Sequence, residues 1–313
     1  MSALPSLRQL GYLVEVADRL NFRAAAQASF VTQSTLSSGI KELESLLGVE
    51  LVERDPRGAR LTPAGEEVVR RARIVLAGAQ DLVDSAHGAG VPLDGIFRLG
   101  VIPTIAPFLL SGAMSGLREE YPGLKLHLRE DLTGRLLGRL RGGDLDAALI
   151  ALPYDTAELA VTELFDDEFW FVAREDDPHA KKKEMLVRDL EPGSIVLLEE
   201  GHCLRDHAIA ACGTRGNKAK AVLEATSLTT LIQMVEGGLG VTLLPELTLK
   251  AGILKGTRLI ARPFSSQVPS RTIALVSRSA GARRADVELL AAFFQQHYRA
   301  QSKVRAASRR KTR

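Results

Sequence analysis

Cysteine is scarce: two residues in a chain of 313 exclude the disulfide framework of a small secreted protein. In a reducing cytosol both would stand as thiols, so a bond between them would act as a switch rather than a staple. Long apolar runs are missing as well. No stretch approaches the roughly 18 residues that a membrane-spanning helix needs, and the first twenty residues carry Arg8, Glu15, Asp18 and Arg19 where a signal peptide would have an apolar centre. A cytoplasmic protein with no membrane partner is expected. Enzyme signatures are absent too: there is no phosphate loop with its lysine, no HExxH metal motif and no nucleophile elbow. An excess of positive charge is lacking where nucleic acid would most need it. Residues 1 to 61 balance Arg8, Arg19, Arg23, Lys41, Arg54, Arg57 and Arg60 against Glu15, Asp18, Glu42, Glu44, Glu50, Glu53 and Asp55. The net charge of +3 comes from the end of the chain, where Lys303, Arg305, Arg309, Arg310, Lys311 and Arg313 have no acidic neighbour after residue 300. That run reads as a solvated, disordered tail, with a non-specific DNA arm as the second reading.

What is present is ample apolar material, 45% of residues, enough for two or three compact domains. Leu7, Leu10, Val14, Ala17 and Leu20 recur at helical spacing. Phe22 to Ala26 opens a second, alanine-rich helix, and Ser29 to Thr32 makes a turn. A third helix is expected over Gln33 to Leu47, with Leu36, Ile40, Leu43 and Leu47 buried, Thr32 as N-cap and Gly48 as the stop. Its other face displays Gln33, Ser34, Thr35, Ser37, Ser38 and Lys41. Such a face is often merely solvated, but hydroxyls and an amide at a helix start can also reach base edges and phosphates in a major groove. Leu51 to Arg54 and Arg60-Leu61 flank the turn Asp55-Pro56-Arg57-Gly58, which reads as a wing. Thr62-Pro63 starts a long helix to about Ala86. Its Val68, Ala72, Val75, Ala79, Leu82 and Ala86 alternate steps of four and three, the seam of a coiled-coil-like dimer.

These N-terminal residues resemble the LysR-type regulators: Ala24-Ala25, Gln33-Ser34-Thr35-Leu36-Ser37, Leu43-Glu44-x-x-Leu47-Gly48, Leu51-Val52-Glu53-Arg54 and Leu61-Thr62-Pro63-Ala64-Gly65. Ser34 departs from the proline usual in that family. The resemblance implies an N-terminal all-α winged helix-turn-helix with a long linker helix, and a C-terminal α/β effector domain of two Rossmann-like lobes, periplasmic-binding-protein-like. It places Gln33, Ser34, Ser37, Ser38 and Arg57 at double-stranded promoter DNA. The division expected is residues 1–61 for DNA binding, 62–87 for the dimerising helix, 88–95 for a hinge, 96–302 for regulation and 303–313 for the tail. Within the regulatory part, lobe I takes 96–166 and 271–302, and lobe II takes 167–270. Spacing alone shows an α/β domain, with strands Phe97 to Val101, Leu124 to Leu128, Ala147 to Leu152, Phe169 to Ala173, Ile195 to Leu198, Val222 to Ala225, Val241 to Leu244 and Thr272 to Val276. Helices are expected over Pro107 to Tyr121, Gly134 to Arg141, Leu228 to Glu236 and Ala285 to Tyr298.

One segment carries chemistry: Glu199-Glu200-Gly201-His202-Cys203-Leu204-Arg205-Asp206-His207, then Cys212. A strand gives way to a helix there, and a nearby His, an Arg and a helix N-terminus all favour the thiolate, so Cys203 reads as a low-pKa thiol. On one continuous helix, Cys203 and Cys212 would stand about 13.5 Å apart along the axis, beyond the roughly 7 Å that a disulfide allows. Bond formation would have to unwind the segment. Two other readings stay open: both thiols as small buried hydrophobes, or His202, Cys203, His207 and Cys212 as metal ligands. With Ala225-Thr226-Ser227-Leu228 and Thr242-Leu243-Leu244-Pro245, the segment resembles the OxyR peroxide sensors within the LysR class. That resemblance implies a hydrogen peroxide sensor controlling oxidative-stress genes, with no cofactor and no metal. Cys203 attacks peroxide, Cys212 resolves the product into a disulfide, His202 and the threonines Thr104 and Thr133 hold peroxide, and Arg271 supports the charged state. Thr104 and Thr133 also read as helix caps, and Arg271 as the partner of a carboxylate. Implied partners are a second copy in a dimer or tetramer, RNA polymerase, and a thiol reductant of the glutathione or glutaredoxin type. The alternative is a LysR-type regulator answering a small organic effector between the lobes.

Overall fold

The structure is a computed structural model whose described residues are 4–55, 58–87, 92–211, 223–266, 268–279 and 283–311. Two compact units emerge, one built chiefly of Met1–Gly90 and the other of most of the chain from Val91 on.

In the first unit, α1 (Leu7–Arg19) starts at Ser6, whose side chain and that of Gln9 cap each other's backbone, and stops at Leu20 in the left-handed region. Helix α2 (Phe22–Ala28) is capped by Asn21, which accepts from the amides of Arg23 and Ala24 at 2.9 and 3.0 Å. Helix α3 (Gln33–Leu47) has Thr32 as N-cap and left-handed Gly48 as its end, as the sequence predicts. The apolar stripes of all three converge on Leu13, Val16, Ala25, Leu36, Ile40, Leu43 and Leu51. Each large side chain removed from water there contributes about 1.5–3 kcal/mol. Strands β1 (Val52–Asp55) and β2 (Gly58–Leu61) pair antiparallel as the wing. Thr62 then caps α4 (Pro63–His87) by accepting from the Gly65 amide at 2.9 Å. Gly65 is demanded by packing, because a Cβ there would stand 2.1 Å from the Leu51 carbonyl oxygen.

The dimer seam expected on α4 needs correction in its first half. Ala72 and its neighbour Val69 are buried in the core of the unit itself, with Val68 packed against it. The helix-turn-helix needs a lid, and the first turns of α4 supply it. Farther along, Ile74, Val75, Leu82 and Val83 remain exposed.

In the second unit, β3 (Gly95–Val101) lies parallel to both β4 (Leu124–Glu130) and β5 (Ala147–Leu152). Helices α5 (Ser111–Glu120) and α6 (Thr133–Arg141) form the two crossovers. A π-turn over Ala106–Leu110 precedes α5, where a regular helix from Pro107 was expected. Strand β6 (Leu159–Arg174) runs through 16 residues, far beyond the predicted Phe169 to Ala173. Its first half mixes Leu159, Val161, Leu164 and Phe165 with Thr162, Glu163 and Asp166 and is mostly exposed or half-buried, and the acidic run Asp166-Asp167-Glu168 interrupts the apolar pattern at mid-strand. Lobe II follows with β7 (Leu197–Leu198), α7 (Cys203–Ala211), β8 (Glu224–Ala225), α8 (Leu228–Glu236), β9 (Thr242–Pro245), α9 (Glu246–Lys250) and β10 (Leu259–Arg262). Strand β11 (Ser270–Arg278) returns antiparallel to both β5 and the first half of β6, while the second half of β6 pairs with β9 and β10. A single long strand is therefore shared by both lobes. Its partners change just past Asp167, and this places Asp167 beneath the junction.

Helix α10 (Arg284–Lys311) covers lobe I with Leu290, Ala291, Phe293 and Phe294. It continues past the expected end at Tyr298, so the disordered-tail reading of 303–313 is corrected as far as Lys311. The segment holds Ala306 and Ala307 among lysines and arginines, with neither glycine nor proline to stop a helix. Among the described residues, no helix is long and apolar enough to cross a membrane.

Candidate functional site

The chain reaches Cys203 through a tight turn. Leu198 ends β7, and Gly201 takes φ +95°, a conformation that glycine adopts without strain. His202 follows, and Cys203 opens α7. Arg205 holds the first turn of α7 in place, donating to the Leu198 carbonyl at 3.2 Å and the Glu224 carboxylate at 2.6 Å. That ion pair occupies the arginine which the sequence offered as a support for the thiolate.

The Cys203 thiol is free and only 6% exposed. Burial pushes its pKa above the ordinary cysteine value, which reverses the expectation of an acidified thiol. Arg271, the Thr133 hydroxyl and the Leu204 amide act in the opposite direction without prevailing. Both neighbouring histidines are buried and held towards the neutral form by that burial. His202 is lowered from its ordinary value, and His207 is lowered to about 4, with the Arg271 charge adding to the effect.

Arg271 enters from β11 and is fully buried. Its Nε and Nη2 donate to Asp167 Oδ2 at 3.1 and 3.0 Å, Nη1 donates to the Thr104 hydroxyl at 2.8 Å, and Nη2 also reaches the Thr104 carbonyl at 3.2 Å. Asp167 Oδ1 accepts from the Leu247 amide at 2.9 Å. Burial raises the Asp167 pKa, while Arg271 and the Leu247 amide favour its charge. The Thr104 oxygen accepts from Arg271, so its hydroxyl hydrogen is available to something else. Thr133, the first residue of α6, is 1% exposed. Its hydroxyl stabilises the Cys203 thiolate and meets no partner of ordinary hydrogen-bond geometry among the described residues.

The fold thus gathers Cys203, Thr133, Thr104 and Arg271, which lie up to 167 residues apart in sequence. Neither threonine serves as the cap that its local sequence suggested. Arg271 does pair with a carboxylate, and with Thr104 as well. Cys212 lies outside the described residues. Sequence reasoning missed Asp167, because one acid in the run Asp166-Asp167-Glu168 carries no mark of burial. Among the described residues, no group of three His, Cys, Asp or Glu side chains could hold a metal ion.

In the N-terminal unit, Gln33, Ser34, Thr35, Ser38 and Lys41 are exposed on α3 and Ser37 is half-buried. Thr32 Oγ1 lies 2.9 Å from the Ser34 hydroxyl and 2.8 Å from that of Thr35, which pre-orders the start of the helix. Arg57 lies outside the described residues.

A winged helix-turn-helix with an exposed polar helix start, joined to an α/β unit with a buried thiol beside an arginine, defines a DNA-binding regulator with a sensor domain. Residues 7–66 match the bacterial regulatory helix-turn-helix protein, lysR family, and residues 92–299 match the LysR substrate binding domain. The chain belongs to the LysR family of transcriptional regulators. It is 45% identical to the HTH-type transcriptional regulator EstR of Acinetobacter baylyi over 93% of this chain and 96% of that protein. It is 37% identical to a hydrogen peroxide-inducible genes activator of Dickeya chrysanthemi over 93% and 95% of the two chains. Among solved structures it resembles a full-length OxyR variant from Pseudomonas aeruginosa in which aspartate replaces a cysteine, with a TM-score of 0.79 and 35% identity over 94% and 95% of the two chains.

Proposed function

We propose that this regulator senses hydrogen peroxide through Cys203 and answers with a reversible Cys203–Cys212 disulfide that alters its grip on promoter DNA. The observation that carries the reading is the convergence of Thr133, Arg271 and Thr104 around one buried thiol. The named relatives and the OxyR structure support it. Such a pocket excludes bulky oxidants and offers hydroxyl groups to a molecule as small as peroxide. Oxidation takes Cys203 to a sulfenic acid with release of water, and the Cys212 thiol displaces a second water to form the disulfide.

Geometry makes that bond a conformational event. Helix α7 runs unbroken to Ala211, about 12 Å along the axis from Cys203. The next Cα lies about 3.8 Å from that of Ala211, so the thiol-bearing residues start farther apart than the roughly 7 Å limit. Part of α7 must unwind, taking with it the clamp formed by Arg205. Residues 1–61 form the DNA-binding part, with Gln33, Ser34, Thr35, Ser37, Ser38, Lys41 and Arg57 at the duplex. Within residues 62–87, the later turns of α4, where Ile74, Val75, Leu82 and Val83 are exposed, pair two copies, and two dimers form a tetramer. RNA polymerase reads the outcome in the cytoplasm, and a thiol of the glutathione or glutaredoxin type resets the switch.

Thiol counting and promoter footprinting before and after stoichiometric peroxide test the proposal, on wild type, Cys203→Ser and Cys212→Ser. Loss of two thiols with a changed footprint in wild type alone is expected. Survival of both thiols, or a footprint indifferent to them, refutes it. A second reading is a regulator of the same family that answers a small organic effector between the lobes. It is favoured by the 45% identity to EstR and by the unacidified thiol.

A further inference from the structure

Two buried polar atoms near Cys203 find no partner among the described residues: the Thr133 hydroxyl oxygen and His207 Nδ1. Thr133 is part of the peroxide cradle proposed above, and His207 has no role in it. His207 follows Cys203 by four residues on α7, which sets the two side chains on one helix face with Cβ atoms about 5–6 Å apart. It is 8% exposed, with its ring 6.3 Å from that of Phe169. Arg271 acts electrostatically on both Cys203 and His207, so all three groups share one pocket. The imidazole is hydrogen-bonded to the Leu152 carbonyl, which fixes the ring proton on the nitrogen facing that oxygen. Burial and the arginine charge keep the ring neutral. Nδ1 is therefore a bare acceptor aimed at nothing that the described residues supply.

The rest of the cradle is rich in donors. Arg271 donates through every bond it makes, and Thr104 already accepts from it. Hydrogen peroxide carries two O–H groups, and a buried donor left unpaired is costly. We infer that His207 is a further peroxide-binding residue, its Nδ1 accepting the hydrogen bond from the O–H of the oxygen that Cys203 attacks. This inference rests on the peroxide reading above. The sulfur forms a bond to that oxygen, the O–O bond breaks, and the departing hydroxide takes the thiol proton to become water. The thiol loses two electrons to the peroxide. The O–H held by His207 stays on the sulfur as that of the sulfenic acid, so one hydrogen bond serves both reactant and product.

The test follows thiol loss by stopped flow in full-length Cys212→Ser protein, alone and combined with His207→Leu or His207→Gln. Each is treated with hydrogen peroxide and, separately, with iodoacetamide. Losing one hydrogen bond of about 1.4 kcal/mol makes His207→Leu about tenfold slower with peroxide. Its iodoacetamide rate stays within about twofold of the parent, because alkylation needs no such acceptor. Glutamine, whose amide oxygen accepts in its place, keeps the peroxide rate within about threefold of the parent. An unchanged peroxide rate in His207→Leu overturns the inference, as does an equal fall with both reagents, which marks a change in access. A parent protein whose thiol ignores peroxide sinks the peroxide reading itself, and this inference with it.

Discussion

Replacing Asp167 with alanine strands a charge. Its carboxylate accepts from Arg271 Nε and Nη2 at 3.1 and 3.0 Å and from the Leu247 amide at 2.9 Å, and both side chains of the ion pair are 0% exposed. Asp167→Ala leaves a buried guanidinium whose remaining hydrogen-bond partners among the described residues are the two Thr104 oxygens. Breaking a buried pair from one side costs about 3–5 kcal/mol, because the surviving charge is neither solvated nor neutralised. In a unit of about 200 residues, this lowers the melting temperature by about 6–20 °C. The assay is thermal unfolding of the full-length reduced protein, followed by the fluorescence of its one tryptophan, Trp170, on the same strand as Asp167. Adding Arg271→Leu removes the stranded charge, so the double variant is expected to be more stable than Asp167→Ala alone. Two results refute the reasoning: a loss below about 1 kcal/mol for the single variant, or a double variant whose loss equals the sum of the two singles.

Three further outcomes follow from other parts of the molecule. His207 has a folded-state pKa of about 4 against an ordinary 6.5, so between these values the unfolded chain binds the proton and stability falls as pH falls. The loss reaches about 3 kcal/mol near pH 4; denaturant titrations should show His207→Gln with a shallower decline over that window, and parallel pH profiles would contradict the assignment. Gly65→Ala drives a methyl group to 2.1 Å from the Leu51 carbonyl, so α4 must shift off the wing at a cost of about 1–3 kcal/mol. Unchanged unfolding of the N-terminal unit would show that the contact relaxes freely. Gln33→Ala with Lys41→Ala touches only exposed side chains, so melting stays within about 0.5 kcal/mol of wild type. Operator affinity in a gel-shift titration should fall about tenfold or more, and undiminished binding would remove this face from the DNA interface.

Local chemistry alone determined much of this protein. Thr32 before Gln33, Gly48 after Leu47 and Thr62-Pro63 fix where α3 begins and stops and where α4 begins, because caps act through neighbours in sequence. The buried strand Ala147–Leu152 and the helix Leu228–Glu236 were legible for a similar reason, in an unbroken apolar run and a 3.6-residue period. The thiol segment was visible as a motif, and so was the polar face of α3.

Long-range partners decided the rest. The first half of β6 pairs with β11, a strand about a hundred residues away, and pairing of that kind leaves no local pattern. Asp167 is one of three consecutive acids until the fold buries it against Arg271. The front of α4 carries a dimer-like period, yet its own domain claims Ala72 and Val69. Cys203 shows most clearly where sequence reading stops. Its neighbours in the chain promise an acidic thiol, but one of them, Arg205, is committed to Glu224 and burial suppresses the charge on the histidines. The environment of a titratable group is set by whatever the tertiary fold brings within a few ångströms, and here that is Arg271, Thr133 and an apolar shell.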